Sequence, residues 1–179
     1  MTAPGYEIRL AAAADVAALP EIERQAGFQF KSHPADLGIT EAMYEDPNSI
    51  ETFAEAQRAG RLWVAHAPTA DPVGFALVTE VAGYAHLDEF DVLPLHGGQG
   101  IGSALLATVC AWAREMGYPA VTLRTFRDVP WNARFYQARG FRVVDSAALS
   151  AAHVALETSE RQRGLRTDIR VTMAYDMAR

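Results

Sequence analysis

The sequence predicts a mixed α/β fold of about seven strands, mostly antiparallel, with one parallel β-α-β crossover and helices on both faces of the sheet. Three observations predict it. Strand patterns in the first half are linked by turns too short for anything but antiparallel pairing. A strand, a long apolar-faced helix and a strand follow one another between Ala85 and Phe126, which makes those two strands parallel. The stretch LHGGQGIGSALL, residues 95–106, joins the first of these strands to the helix through four glycines. At 179 residues, the chain is expected to form one domain over 1–179 around one full core.

Tyr6–Leu10 reads as the first strand. Asp15 then opens a helix, and Pro20 lies too far inside it, so a break or restart is expected there. Gly27, Pro34, Gly38 and Pro47 make residues 28–48 irregular. A helix follows from Ser49 to Ala59, stopped by Gly60. Leu62–Ala67 and Val73–Val81 are strands around the turn PTADP, and Ala85–Leu93 alternates as another. In the helix Gly100–Met116, the residues Ile101, Leu105, Thr108, Val109, Trp112 and Met116 share one face. Gly117 ends it, and Ala120–Phe126 is the next strand. Asp128 and Pro130 open a short helix that Gly140 closes, with Phe141 packing behind the cap. Phe141–Val144 continues as a strand. A helix over Ala148–Arg163 stops at Gly164, and Ile169–Tyr175 alternates as the last strand, which could pair across a homodimer.

The composition narrows the function. Half the residues are hydrophobic and 21% are charged, as in ordinary globular proteins. A net charge of −6 and a pI near 5.3 argue against a nucleic-acid binder, which carries a basic stripe. Lys31 is the only lysine among 16 basic residues, a bias best read as genomic. Cys110 is the only cysteine, so no intrachain disulfide forms, and its apolar helical setting reads as core. MTAPGYEIRL lacks the pattern of a leader, and no apolar run reaches membrane-span length. A cytoplasmic protein with no membrane partner is expected. His33, His66, His86, His96 and His153 show no ligand spacing, so no metal is expected.

Three designs could explain the glycines. A phosphate-binding Walker loop needs a lysine after its last glycine, but Ser103 follows Gly102. A dinucleotide fingerprint needs G-x-G-x-x-G, and Ser103 takes its third glycine position. The third design rests a pyrophosphate on the N-terminus of the following helix, where free N–H groups and the helix dipole favour an anion. Gly98, Gly100 and Gly102 would let the backbone approach it.

A second block, DVPWNARFYQARGF at 128–141, completes a resemblance. A strand closing in Val92 and Pro94, the G-x-G helix start and the A-R-F-Y-x-x-x-G-F block together resemble the GNAT superfamily of acyl-CoA-dependent N-acyltransferases. The likeness is strongest over residues 85–145, and the order of elements agrees with it. The superfamily loop runs Gln or Arg, two residues, Gly, any residue, then Gly or Ala. Gly100 and Gly102 match, and Gly97 stands at the Gln/Arg position. Gln99, or His96 with a shift of the loop, could substitute.

The resemblance implies acetyl-CoA, or a related acyl-CoA, as donor and an amine as recipient. The expected cofactor surface is Gly97, Gly98, Gln99, Gly100, Ile101, Gly102 and Ser103, with Val92, Asn132, Phe135 and Arg139. Asn132 would touch the pantetheine arm or cap its helix. Arg134, Arg139 and Arg142 could meet the 3′-phosphate of CoA or serve as surface charge.

An alkylamine with a pKa near ~10.4 is ready to attack in under about one molecule in a hundred at neutral pH, so a base is useful. The oxyanion needs a donor, and a backbone N–H at a strand irregularity could supply it. The leaving thiolate, pKa near ~8.5, could take a proton from a phenol. The resemblance assigns that phenol to Tyr136; the bland alternative is helix packing, for which Trp131 and Phe135 at i and i+4 are the better pair. For the base, alternation puts His86, Asp88, Phe90 and Val92 on one face and Leu87, Glu89 and Asp91 on the other, unless a bulge intervenes. His86, Asp88 and Glu89 are the candidates. Together they predict an acidic pocket for a small cationic amine. The rival readings are a non-catalytic acyl-CoA sensor and an acetyltransferase for protein or peptide amines.

Overall fold

The turn-linked strands pair as neighbours, and the sheet grows outward from them. The computed structural model describes residues 5–177. Residues 1–4, read above for a leader, and residues 178 and 179 of the expected domain lie outside these. Strands β1 (Glu7–Leu10), β2 (Leu62–His66), β3 (Pro72–Val81) and β4 (Tyr84–Val92) pair antiparallel in sequence order. Strand β5 (Ala120–Phe126) joins β4 in parallel through Ala85–Leu87 and Val121–Leu123. Strands β7 (Arg170–Asp176) and β6 (Arg142–Val143) complete the order β1-β2-β3-β4-β5-β7-β6.

Helices cover both faces, as the pattern requires. On one face, α1 (Leu19–Gly27) and α3 (Ile50–Arg58) bury Leu19, Ile22 and Phe53 against Leu62, Val64, Phe75 and Leu77. On the other, α4 (Ile101–Glu115) buries Ile101, Leu105, Leu106 and Val109 against Trp63, Ala76, Val78, Leu87 and Leu123. Helix α4 is thus anchored under the sheet, with its first turn at the end of β4. Met116, placed on the buried face by the sequence, is instead the exposed C-cap, because the helix ends before that turn closes.

Local chemistry accounts for most boundaries. Pro20 sits in the first turn of α1, where it costs no hydrogen bond, so the chain restarts after the 3-10 turn Val16–Ala18. Asp15 makes no side-chain cap bond to that turn; its carboxylate accepts from the Ala12 N–H at 2.7 Å and pairs with Arg9 and His66. Ser49 caps α3, and Gly60 follows it with φ +65°. The segment 28–48 contains the 3-10 turn Phe28–Ser32 and the short α2 (Glu41–Tyr44). Lys31 ties this strap together: its ammonium lies 4.5 Å from the Phe28 ring centre, 4.7 Å from that of Tyr44, and 2.7 Å from Glu41.

Four expectations are corrected. The short helix α5 (Ala133–Gln137) starts after a turn at Asp128–Asn132, and Asn132 makes no side-chain cap bond. Helix α6 (Ala151–Gln162) begins at a Ser150 cap, later than Ala148, because a 3-10 turn occupies Ser146–Ala148. Trp131 does not pack on Phe135; it is 38% exposed, tilted against Phe30 and edge-on to His33. Strand β7 lies between β5 and β6, so over Thr172–Ala174 its edges are both taken and are closed to a second copy.

Candidate active site

The decisive irregularity is in β4. Leu77 pairs with Glu89 and Val78 with Leu87, so Asp88 is an extra residue with no partner on β3. Such a bulge inverts the side-chain alternation beyond it. His86, Glu89 and Asp91 therefore share the α1 face with Phe75 and Leu77, while Leu87, Phe90 and Val92 turn to the α4 face. The alternation read from sequence is corrected accordingly. Strands β4 and β5 also stop pairing after Leu87 and Leu123. The gap between them opens a cavity of about 920 Å³ that runs from the glycine loop to the wall made by α6 and the strap.

At one end lies the first turn of α4. The N–H groups of Gly98, Gln99, Gly100, Ile101, Gly102 and Ser103 have no acceptor among the described residues, as expected of a helix start. Gly98 and Gly100 have φ +73° and +78°, a conformation that favours glycine. A Cβ on Gly98 would meet open space, whereas one on Gly102 would lie 3.3 Å from the Phe135 ring. Gly102 therefore serves the packing of Phe135 as much as any approach of ligand. Gln99 is exposed and does not line the cavity; Gly97, Ser103 and Val92 do, as do Asn132 and Phe135. His96 lines it too, with Nδ1 bonded to the Tyr6 hydroxyl at 2.9 Å.

Arg139 brings a cation to this end. Its Nε and Nη2 donate to Ser103 Oγ at 3.0 and 2.6 Å, and Nη1 donates to the Phe135 carbonyl at 2.7 Å. The guanidinium lies 3.7 Å from the Phe135 ring centre, and desolvation lowers its pKa. A cation beside a helix N-terminus opposes the dipole unless an anion joins them. Arg134 and Arg142 stand apart from the cavity, Arg142 in a surface pair with Asp176.

The middle and far end hold the titrating groups. Tyr136 is 9% exposed, packed by Phe90, Phe135 and Phe141, and its hydroxyl has no partner among the described residues. Burial, then Asp91 and Glu89, push its pKa up, so the phenol keeps its proton. Burial also raises Glu89 to about 8, helped by Glu23 and Asp88. Asp91 is raised by burial, Glu89 and Glu23, and Asp88, whose surface is open to the cavity, by desolvation within it. Glu23, on α1, was not legible as a site residue. Asn48 clamps it with its N–H (3.1 Å) and its Nδ2, and burial raises its pKa. No cation pairs with Glu23, Glu89 or Asp91 among the described residues, while Arg124 and Arg170 on the wall are both engaged by Glu160. His86 lines the cavity, and burial, then His153 and Arg124, depress it to about 4.

A helix mouth of free N–H groups, a parted strand pair and a buried phenol in one cavity fit an acyltransferase that takes a phosphate-bearing thioester. A model of the acetyltransferase (GNAT) family matches residues 21–141. The chain belongs to that family, and the acyltransferase class with acetyl-CoA as donor, read from the sequence, is the class of that family. Streptothricin acetyltransferase of Streptomyces lavendulae is 35% identical over 95 residues, covering 51% of this chain and 50% of that protein. The chain therefore matches about half the length of this curated relative. The PaiA N-acetyltransferase of Thermoplasma acidophilum, solved with coenzyme A, has a TM-score of 0.72 at 18% identity over 96% of this chain and 99% of its own. The ribosomal-protein-S18-alanine N-acetyltransferase of Escherichia coli has a TM-score of 0.64 at 20% identity, over 97% and 96%. These structures share the fold. No helix among the described residues is long and apolar enough to cross a membrane.

Proposed function

We propose that this chain is a single-domain N-acetyltransferase that moves an acetyl group from acetyl-CoA directly to a small cationic primary amine, both bound together. One observation carries the reading: a single cavity has free N–H groups and Arg139 at one end, unpaired carboxylates at the other, and Tyr136 along its wall. Anion and cation sites at opposite ends of one cleft suit a phosphate-bearing donor and an ammonium-bearing partner.

Acetyl-CoA supplies the thioester carbonyl. The N–H row Gly98–Ser103 and Arg139 would hold its diphosphate, and Asn132 and Phe135 would flank its arm in the β4–β5 gap. Glu89, backed by Asp91 and Glu23, draws the ammonium and takes its proton; a base near pH 8 is well matched to that task. The Phe90 N–H, bonded to Glu89 Oε1 at a long 3.4 Å, is available to the oxyanion. Tyr136 donates to the sulfur as the C–S bond breaks. Burial is the first cause of its raised pKa; a bound cation would offset the next two, Asp91 and Glu89.

The strap favours a small substrate over a protein one. Phe30, Ile39, Met43 and Tyr44 line the cavity and wall its acceptor end, where a peptide would need an open groove. The test is thiol release from acetyl-CoA with a panel of small amines and N-terminal peptides, for wild type and Tyr136→Phe. Turnover on small cationic amines, with kcat lowered about 10²-fold in the variant, is expected. Turnover on peptides alone would transfer the assignment to the protein-directed reading. Acetyl-CoA binding without turnover on any amine would make the chain a sensor.

A further inference from the structure

Behind the cavity wall lies a file of four polar side chains that the mechanism above does not use. His86 on β4, Thr122 on β5 and His153 on α6 are all buried, and Ser150 caps α6. His86 Nδ1 is 2.9 Å from Thr122 Oγ1, which is 3.4 Å from His153 Nε2. His153 Nδ1 is 2.7 Å from Ser150 Oγ, which also accepts the His153 N–H.

The protons in this file are fixed by one choice. Ser150 Oγ accepts a backbone N–H on one lone pair, and assigning its proton to His153 Nδ1, 2.7 Å away, uses its single donor. His153 then carries its proton on Nε2 and donates to Thr122. The Thr122 hydroxyl in turn donates to His86 Nδ1. His86 is left with its proton on Nε2. That atom has no protein partner, and it is absent from the buried unpartnered polar atoms, which include His66 Nδ1 and Asp91 Oδ2. Since His86 lines the cavity, its Nε2–H is offered there.

We infer that His86 is a neutral hydrogen-bond donor to an oxygen of the amine substrate, fixed in that tautomer by Thr122, His153 and Ser150, and is not the base. The inference rests on the proposed amine acetylation and names the substrate class more closely: a cationic amine that also bears a carbonyl, hydroxyl or carboxylate oxygen. Such a site rejects the analogue lacking the oxygen, because the buried donor is then left unpaired. The groups facing His86 agree. His153 from α6 and Arg124 from β5 oppose a second proton on the ring, and Arg124 is itself held by Glu157 and Glu160. Asp88, two residues on along β4, is the nearest acid of its own strand in sequence. The ring therefore stays neutral at working pH. Thr122, His153 and Ser150 are positioning residues.

Two measurements test this. Nitrogen-15 NMR of the imidazoles needs no substrate. It should show His86 and His153 both protonated on Nε2 at pH 7, and no His86 titration above pH 6. A bare Nε2 on His86, or an imidazolium near neutrality, overturns the inference even if amines are acetylated. Next, kcat/KM is compared for matched amines with and without an oxygen. Thr122→Val should lower it about 10- to 100-fold for the oxygen-bearing amine and leave the plain one within about 2-fold, with Thr122→Ser restoring it. An equal loss on both amines, with no recovery in Thr122→Ser, would mean a structural role only and overturn the assignment. Absence of turnover on every amine would refute the proposed function and leave the tautomer result to stand alone.

Discussion

Replacing Glu89 by Gln should make the protein both more stable and less active, and the two effects should share one pH dependence. The carboxyl stands among Glu23, Asp88 and Asp91 with no paired cation, and its pKa moves from 4.5 to about 8. Folding therefore favours its protonated form. Stability from this group is complete below pH 4.5 and is lost as pH rises through about 8. Linkage over that interval gives about 3–4 kcal/mol between pH 5 and pH 8.5, an upper figure because Glu23 and Asp91 share the repulsion. For a chain of this length each kcal/mol moves Tm by about 2–4 °C. Gln has the same shape and never ionises. Thermal melts of wild type and Glu89→Gln should then coincide near pH 5 and separate by at least about 5 °C at pH 8.5, the variant being the more stable. Over the same range wild-type kcat/KM should climb through about pH 8 as the carboxylate forms, and the variant should lose about 10²–10⁴-fold and that dependence. A Tm difference that is the same at pH 5 and pH 8.5 would refute the account of Glu89 as a destabilised, half-buried acid.

Two further outcomes follow from the site. Arg139→Ala should raise the KM for acetyl-CoA about 10-fold and leave kcat within about 2-fold, since the guanidinium meets Ser103 at the helix mouth and not the reacting centre; initial-rate kinetics that move kcat alone would contradict this. Cys110 is buried, and burial pushes its thiol up to about 11. Cys110→Ala should therefore keep kcat within about 2-fold and give intersecting double-reciprocal plots, whereas parallel lines would point to an acyl-enzyme.

The strands, the crossover and the glycine-started helix were legible because each is written in local periodicity and in turn residues. The A-R-F-Y block also placed Tyr136 on the short helix, and its side chain lines the cavity. The bulge at Asp88 was not legible, although it decides which acids meet: no glycine or proline marks it, and only the register against β3 creates it. Glu23 and Asn48 lie 25 residues apart, and Glu23 comes near Glu89 only through packing of α1 on the sheet. A clue to Glu23 existed in an acid placed amid the apolar stripe Leu19, Ile22 and Ala26. The length of α5 and the separation of Trp131 from Phe135 also escaped, because the turn at Asp128–Asn132 reorients the chain before the helix begins. His86 was read as a possible base, since nothing in a strand pattern tells which imidazole nitrogen will be occupied by a threonine from the next strand.

Lys31 has a practical consequence. A catalyst that keeps an activated acyl group within reach of its own surface risks decorating itself, and lysine is the usual victim. Here arginine supplies the other fifteen Lys/Arg positions, and the single lysine ammonium is pinned between two rings and a carboxylate on the strap beside the cavity. Apart from a terminal α-amine, amine-reactive dyes or coupling resins would thus strike one side chain, next to the wall that shapes the reaction chamber. Reagents normally regarded as harmless handles would, for this molecule, act as probes of that wall.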